Sequence, residues 1–244
     1  MTTRIDNAFY DTLGERWYGA SDDPVALLRA ESRLRNPWLC ALLKQRHGAN
    51  ARVLDIACGA GFLSNALAEG NFDVTGVDAS PESLNVARDH DVTGTARYEV
   101  ADALALPYAD ASFDAACAMD FLEHVSEPAR AIREAARVLR PGGTFVFHTF
   151  NRNWLAHLVV IKGVEWFVKN TPDHMHVIEL FIKPEECKAM CEASGLRVLE
   201  LRGSRPVLSK AFFRMLMTRE VPPDFSFRFT SSTRIAYTGY AEKL

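Results

Sequence analysis

"VLDIACGAGFLSNALAEG", residues 53–70, decides the fold. It opens as a short apolar run that ends on an acid, Asp55, turns through Gly59 and Gly61, and continues with a helical apolar period. Glycine lets the backbone approach a ligand without a Cβ clash, and a helix start just beyond it offers free N–H groups. Strand, glycine turn and helix in that order make a nucleotide-type loop, although an ordinary tight turn between strand and helix has the same grammar.

The alternation continues outward. Strand-like and helical runs follow one another over 52–57, 61–70, 73–77, 81–89, 96–101, 113–119, 128–139 and 144–150, which predicts an α/β fold with a parallel sheet covered by helices. Upstream, 22–47 has a helical pattern with a break expected at Asn36-Pro37, so 1–48 is an N-terminal helical cap. Downstream, 151–183 is an insertion, followed by a helix near 184–194, a strand near 197–202 and a closing strand near 233–240. A chain of 244 residues that is 48% hydrophobic can bury its core as one domain, expected to span 1–244.

Composition excludes several classes of function. A formal net charge of -3 gives no global reason to bind nucleic acid. The five cysteines, Cys40, Cys58, Cys117, Cys187 and Cys191, form no CxxC pair and are odd in number, which fits a reduced cytoplasmic protein. Cys187 and Cys191 can meet on a helix face, where core packing is the expected role. The first residues lack the apolar core of a signal peptide, and no stretch reaches the ~18 apolar residues of a spanning helix. The expectation is a soluble protein or one lying on a membrane surface.

A second motif fixes the ligand class. "VTGVDAS", 74–80, ends a strand on Asp78, seventeen residues after Gly61, where a carboxylate can accept hydrogen bonds from both ribose hydroxyls. A nicotinamide dinucleotide would bring its pyrophosphate to the turn beside Asp55, and like charges repel. S-adenosylmethionine has no phosphate and carries an ammonium and a sulfonium, so it suits that acid better. In "VADALALPYADASFD", 100–114, the Asp102 carboxylate or the Ala103 N–H can read the adenine edge, unless Asp102 serves only as a helix cap.

Further along, "CAMDFLEHV", 117–125, sets two acids and a histidine behind an apolar strand. Asp120, Glu123 and His124 could be a reaction centre, a metal site or the polar end of a buried strand, because i, i+3 and i+4 share a face only in a helix.

Taken together, LDIACGAG, VTGVDAS, VADALALPY, SFDAACAMDFLEHV and RVLRPGGTFVF resemble the successive motifs of class I S-adenosylmethionine-dependent methyltransferases. That resemblance implies a Rossmann-like, mostly parallel seven-stranded sheet of order 3-2-1-4-5-7-6 with strand seven antiparallel. It also implies a donor surrounded by Asp55, Gly59, Gly61, Asp78, Asp102, Ala103 and Met119. With "FYDTLGERWY", "RNP", "MDFLEHV", "NRN" and "FIKPEE" added, the chain resembles the O-methyltransferases of ubiquinone biosynthesis from residue 9 to about 190.

The resemblance implies a phenolic, catechol or quinol-type acceptor carrying a polyprenyl tail, and a divalent metal such as Mg²⁺ on Asp120, Glu123 and His124. A metal would acidify the acceptor hydroxyl; without one, His124 could remove the proton, oriented by Asp120 or Glu123. Three departures stand out: the first acid is aspartate rather than glutamate, Leu34 replaces the family's donor-contacting arginine, with Arg33 and Arg35 on either side, and the segment after Gly203 does not follow the family's pattern. A soluble small-molecule acceptor, or a donor-binding protein with a structural triad, are the alternatives.

Two segments point to a membrane. Over 153–170 the polar positions His157, Lys162, Glu165 and Lys169 fall in one arc of a helix, leaving an apolar face with Trp154, Leu155, Leu158, Trp166 and Phe167. Such a helix could lie in a membrane interface or act as a lid. Residues 202–219 hold Arg202, Arg205, Lys210, Arg214 and Arg219 without an acid and could touch anionic lipid, which would make the protein peripheral at the inner membrane surface. His174 and His176 share a face if their segment is extended, with lid packing the plainer role.

Overall fold

A computed structural model describes residues 8–172 and 175–244. Its strands in chain order are β1 (Arg52–Ile56), β2 (Asp73–Asp78), β3 (Arg97–Val100), β4 (Phe113–Met119), β5 (Leu139–Phe150), β6 (Leu196–Pro206), β7 (Phe227–Thr230) and β8 (Ala236–Lys243). They form one sheet of order β3-β2-β1-β4-β5-β8-β6-β7. The first five strands pair in parallel, and β8 inserts antiparallel between β5 and β6.

The expected seven-strand order is therefore present, with one strand more. β6 runs on to Pro206, past the expected end at 202, and its extra residues Gly203–Pro206 pair with β7. An edge of unpaired N–H and C=O groups is covered in this way.

The helices are α1 (Ala8–Asp11), α2 (Arg16–Gly19), α3 (Val25–His47), α4 (Phe62–Glu69), α5 (Pro81–Asp89), α6 (Pro128–Val138), α7 (Trp154–Ala156), α8 (Gly163–Phe167), α9 (Pro184–Ala193) and α10 (Lys210–Thr218). Side chains alternate across a strand, so consecutive residues of β1 feed two cores. Val53, with Ala115 and Cys117 of β4, packs on α3 and α4 through Leu39, Leu43, Leu63 and Leu67. Leu54 and Ile56, with Ala116 and Ala118, pack on α6 and α9, where Cys187 and Cys191 are fully buried as core residues.

The break expected at Pro37 does not occur: α3 runs unbroken through it. A mid-helix proline forfeits one backbone hydrogen bond and crowds the preceding turn. Here the neighbouring Asn36 amide donates to the Phe62 carbonyl, and Leu39 and Leu43 are buried completely, so tertiary packing holds the helix across the proline. The N-terminal half of α3 meets α10 and the residue after α8 in a separate cluster of Ala26, Ala30, Val168, Ala211, Met215 and Phe225. That cluster roofs the carboxyl ends of the strands, which is where ligands bind in open α/β sheets.

Candidate active site

One cavity of about 1170 Å³ lies under this roof. It exceeds the about 300–1,000 Å³ of a single small-molecule pocket, leaving room for two ligands side by side. Asp55, Gly59, Asp78, Asp102, Ala103, Met119, Asp120 and His124 line it; Gly61 and Glu123 do not.

The donor-type half is built from strand ends. Asp55 accepts a hydrogen bond from the Ser64 hydroxyl of α4 at 2.6 Å, and burial, helped by nearby Asp78, pushes its pKa up to about 7. Asp78 accepts from the N–H groups of Gly59 at 2.8 Å and Ser80 at 2.9 Å, and burial raises its pKa. Gly59, at φ 52°, faces the Trp17 ring, which a Cβ would meet at 3.1 Å. Gly61 serves packing instead: at φ 79°, an added Cβ would stand 2.9 Å from the Ala87 Cβ and 2.8 Å from the Tyr98 hydroxyl. Past β3, the Asp102 carboxylate caps its own turn through the Leu104 N–H at 2.8 Å, while the residue lines the cavity wall.

A buried ionic cluster, not foreseen from the sequence, separates the two halves. Arg35 grips Asp120 with both terminal nitrogens, Nη1 to Oδ1 at 2.9 Å, and stands 4.0 Å from Glu31 one turn earlier on α3. Ser204 of β6 donates to Glu31. His148 of β5 faces Asp120 at 3.4 Å through Nε2 and shares a hydrogen bond with Thr238 through Nδ1 at 2.8 Å. Asp120 is buried, but Arg35 and His148 outweigh burial and hold its pKa below the usual carboxylate range. Of the two arginines left open by the sequence, Arg33 turns away to the carbonyls of Pro223 and Phe225, and Arg35 enters the cavity.

Among the described residues, Asp120, Glu123 and His124 do not form a group whose ligand atoms all lie within 4.8 Å of one another. The segment after β4 is a 3-10 turn, Leu122–His124. Glu123 lies behind the cavity wall, where its carboxylate accepts from Thr149 at 2.7 Å and burial pushes its pKa up to about 8. Among the described residues, the one group of three whose ligand atoms lie within 4.8 Å of one another is Glu31, Asp120 and His148. There the cation is already present as the Arg35 guanidinium. A divalent ion at Glu31, Asp120 and His148 would stand against that guanidinium.

His124 remains in the wall. Its ring meets Tyr10 edge-on at 5.9 Å and His176 at 5.4 Å, and its Nδ1 is buried without a hydrogen-bond partner. Burial pushes its pKa down to about 4 despite Asp120 nearby, so the ring is neutral. Tyr10 and Trp17, stacked at 5.5 Å, close the N-terminal side. The N-terminal residues 1–7, and Asp173 and His174 with the pairing expected of the latter, lie outside the described residues.

The insertion is helical but not one helix. A π-helical turn, His157–Lys162, joins α7 to α8. Val160 and Ile161 are buried, whereas Trp154 is 77% and Trp166 55% exposed, and Leu158, Val164 and Trp166 reach the cavity. Two of the five basic residues of 202–219 are paired: Arg202 with Glu200, lying over Trp38 and Phe229, and Arg214 with Asp224. Among the described residues no helix is long and apolar enough to cross a membrane.

Comparison with known proteins agrees with this geometry. Residues 54–147 match the family model of a methyltransferase domain. The ubiquinone biosynthesis O-methyltransferase of Aromatoleum aromaticum is 34% identical over 197 residues, covering 80% of this chain and 82% of the relative. The protein of the same name from Xanthomonas axonopodis is 33% identical over 240 residues, covering 96% and 92%. In fold, the chain is similar to the magnesium protoporphyrin IX methyltransferase of Synechocystis, solved with bound SAH, at a TM-score of 0.66 and 16% identity over 97% of both chains. A SAM-dependent methyltransferase of Thermotoga maritima gives 0.62 and 18%, with 94% of both chains covered.

Proposed function

Because the chain belongs to the family of ubiquinone biosynthesis O-methyltransferases, we propose that it transfers a methyl group from S-adenosylmethionine to a hydroxyl of a prenylated quinol-type acceptor, with His124 receiving the hydroxyl proton. One observation carries the role of His124: a neutral, half-buried imidazole stands in the wall of a cavity large enough for both substrates.

When bound, the donor supplies an electrophilic methyl group on a positively charged sulfur. Asp55 and Asp78 set opposite charge and hydrogen-bond acceptors at the strand ends that would hold its ammonium and ribose. Arg35 neutralises Asp120. The remaining wall is apolar, which suits a prenyl tail and excludes water.

An imidazole of pKa about 4 is too weak to ionise a phenol in advance. A free phenol titrates near 10, so prior transfer is uphill by about six units, or ~8 kcal/mol. Once the oxygen begins to bond to carbon, its proton sits on an incipient oxonium and is far more acidic than imidazolium. Proton transfer to His124 therefore accompanies C–O bond formation and C–S cleavage, and the positive charge leaving sulfur ends on an imidazolium beside Asp120.

The test is transfer of labelled methyl to a short-chain prenylated catechol, with Mg²⁺ and with excess chelator. Product is expected under both conditions, and His124→Ala should lose turnover by about a hundredfold or more while keeping donor affinity. Loss of product on chelation would overturn the proton-acceptor role and restore a metal.

A further inference from the structure

Only some of the polar groups at the acceptor end are free to meet a substrate. Asp120 is gripped by Arg35, and Glu31 is engaged by Ser204 and Arg35. Beside His124 stands a second imidazole, His176, which also lines the cavity, with ring centroids 5.4 Å apart.

The His176 ring is held by other rings: Phe150 edge-on at 5.2 Å, Phe181 edge-on at 6.0 Å and His124 tilted across it. Aromatic packing on this scale fixes the plane of the ring without using its nitrogens. Burial, with His124 next to it, pushes its pKa down to about 3, so it is neutral and keeps a lone pair for a hydroxyl. Two adjacent neutral imidazoles in an apolar wall offer hydrogen-bond acceptors to two hydroxyls on neighbouring carbons.

We propose that His176 is the specificity-determining residue of the acceptor site: it holds the hydroxyl next to the one that His124 deprotonates, and so selects which oxygen of a vicinal diol is methylated. The inference rests on the function proposed above and adds to it which of two neighbouring oxygens is methylated. An acceptor with one hydroxyl would leave the second imidazole buried and unpaired, and such a mismatch is costly in an apolar site.

The experiment compares a short-chain prenylated catechol with the matching monophenol, using the full chain and labelled S-adenosylmethionine, and separates the two monomethyl isomers. His176→Phe keeps the ring packing and removes the nitrogens; His176→Gln keeps a polar group. The wild type should prefer the catechol in kcat/KM by at least about tenfold and form one isomer. In His176→Phe the preference should collapse toward one and both isomers should form, with His176→Gln intermediate. An unchanged preference and isomer ratio in His176→Phe, with donor affinity intact, would overturn the role of His176 alone. A wild-type protein that binds donor but methylates neither phenol would overturn the proposed function with it.

Discussion

Ala57 and Asp120 occupy matching places on neighbouring strands. Each is the first residue past its strand, β1 or β4, and each has left-handed backbone, at φ 56° and 55°. That conformation costs a residue with a side chain about 1–2 kcal/mol and persists where the surroundings hold it; for Asp120 the holder is the Arg35 fork. The two kinks turn the chain into the cavity and leave Asp55 behind the first of them. With Asp55 holding the donor ammonium as proposed, its pKa near 7 predicts that donor binding is proton-linked. A cationic ammonium favours the carboxylate, so affinity should rise with pH up to about 7, by as much as tenfold per unit well below it, and then level off. Calorimetric titration between pH 5.5 and 7 stays below the about 7.7–8.0 where an α-amino group itself titrates. Asp55→Asn should bind weakly and without pH dependence; a flat wild-type profile would refute the linkage. Asp55 and Asp78 were legible in the sequence because each ends a strand beside a turn, where direction is fixed by the strand. Arg35, Glu123 and Gly61 were not, because helix packing decides which face each presents.

At the scale of elements, hydrophobic period located the strands and helices of 52–150, and both misreadings concern what tertiary contacts permit. Pro37 stays helical because Leu39 and Leu43 anchor the turn beyond it. The insertion, whose pattern suggested one amphipathic helix, contains a π-helical turn, which takes about one residue more than an α-turn. The extra residue sets the phase of α8, letting Val164 and Phe167 join Met215 and Phe212 of α10. Deleting Val159, an exposed residue of that turn, should restore the α period and rotate α8 by about 100°. Phe167, partly buried there, would leave its cluster and loosen the roof over the acceptor end. Acceptor KM should rise about tenfold or more with donor Kd unchanged, since Asp55 and Asp78 stand on β1 and β2. An equal loss of both affinities would show that the turn supports the whole cavity.

Across the whole molecule, the sheet supplies the donor half, and the cap, insertion and α10 supply the acceptor half. The acceptor half also carries several of the large apolar side chains that folding leaves exposed. Trp154, Leu158 and Trp166 of the insertion are joined by Phe213 and Met217 on the outer face of α10. Exposed apolar side chains grouped in this way are of the kind that bind at a membrane surface, which liposome sedimentation tests. The chemistry of this rim is apolar rather than basic, because Lys162 pairs with Glu165, Lys169 with Glu220 and Arg214 with Asp224. Charge attraction between exposed groups fades over a Debye length of about 3 Å at 1 M salt, whereas apolar insertion does not. Liposome sedimentation should therefore survive high salt and change little with the fraction of anionic lipid. The double replacement Trp154→Ser and Trp166→Ser should weaken it at least tenfold, given about 1.5–3 kcal/mol for each large apolar side chain buried, and leave donor Kd untouched. Release by salt with both tryptophans intact would instead assign the surface to Arg205, Lys210 and Arg219, the basic residues outside these pairs.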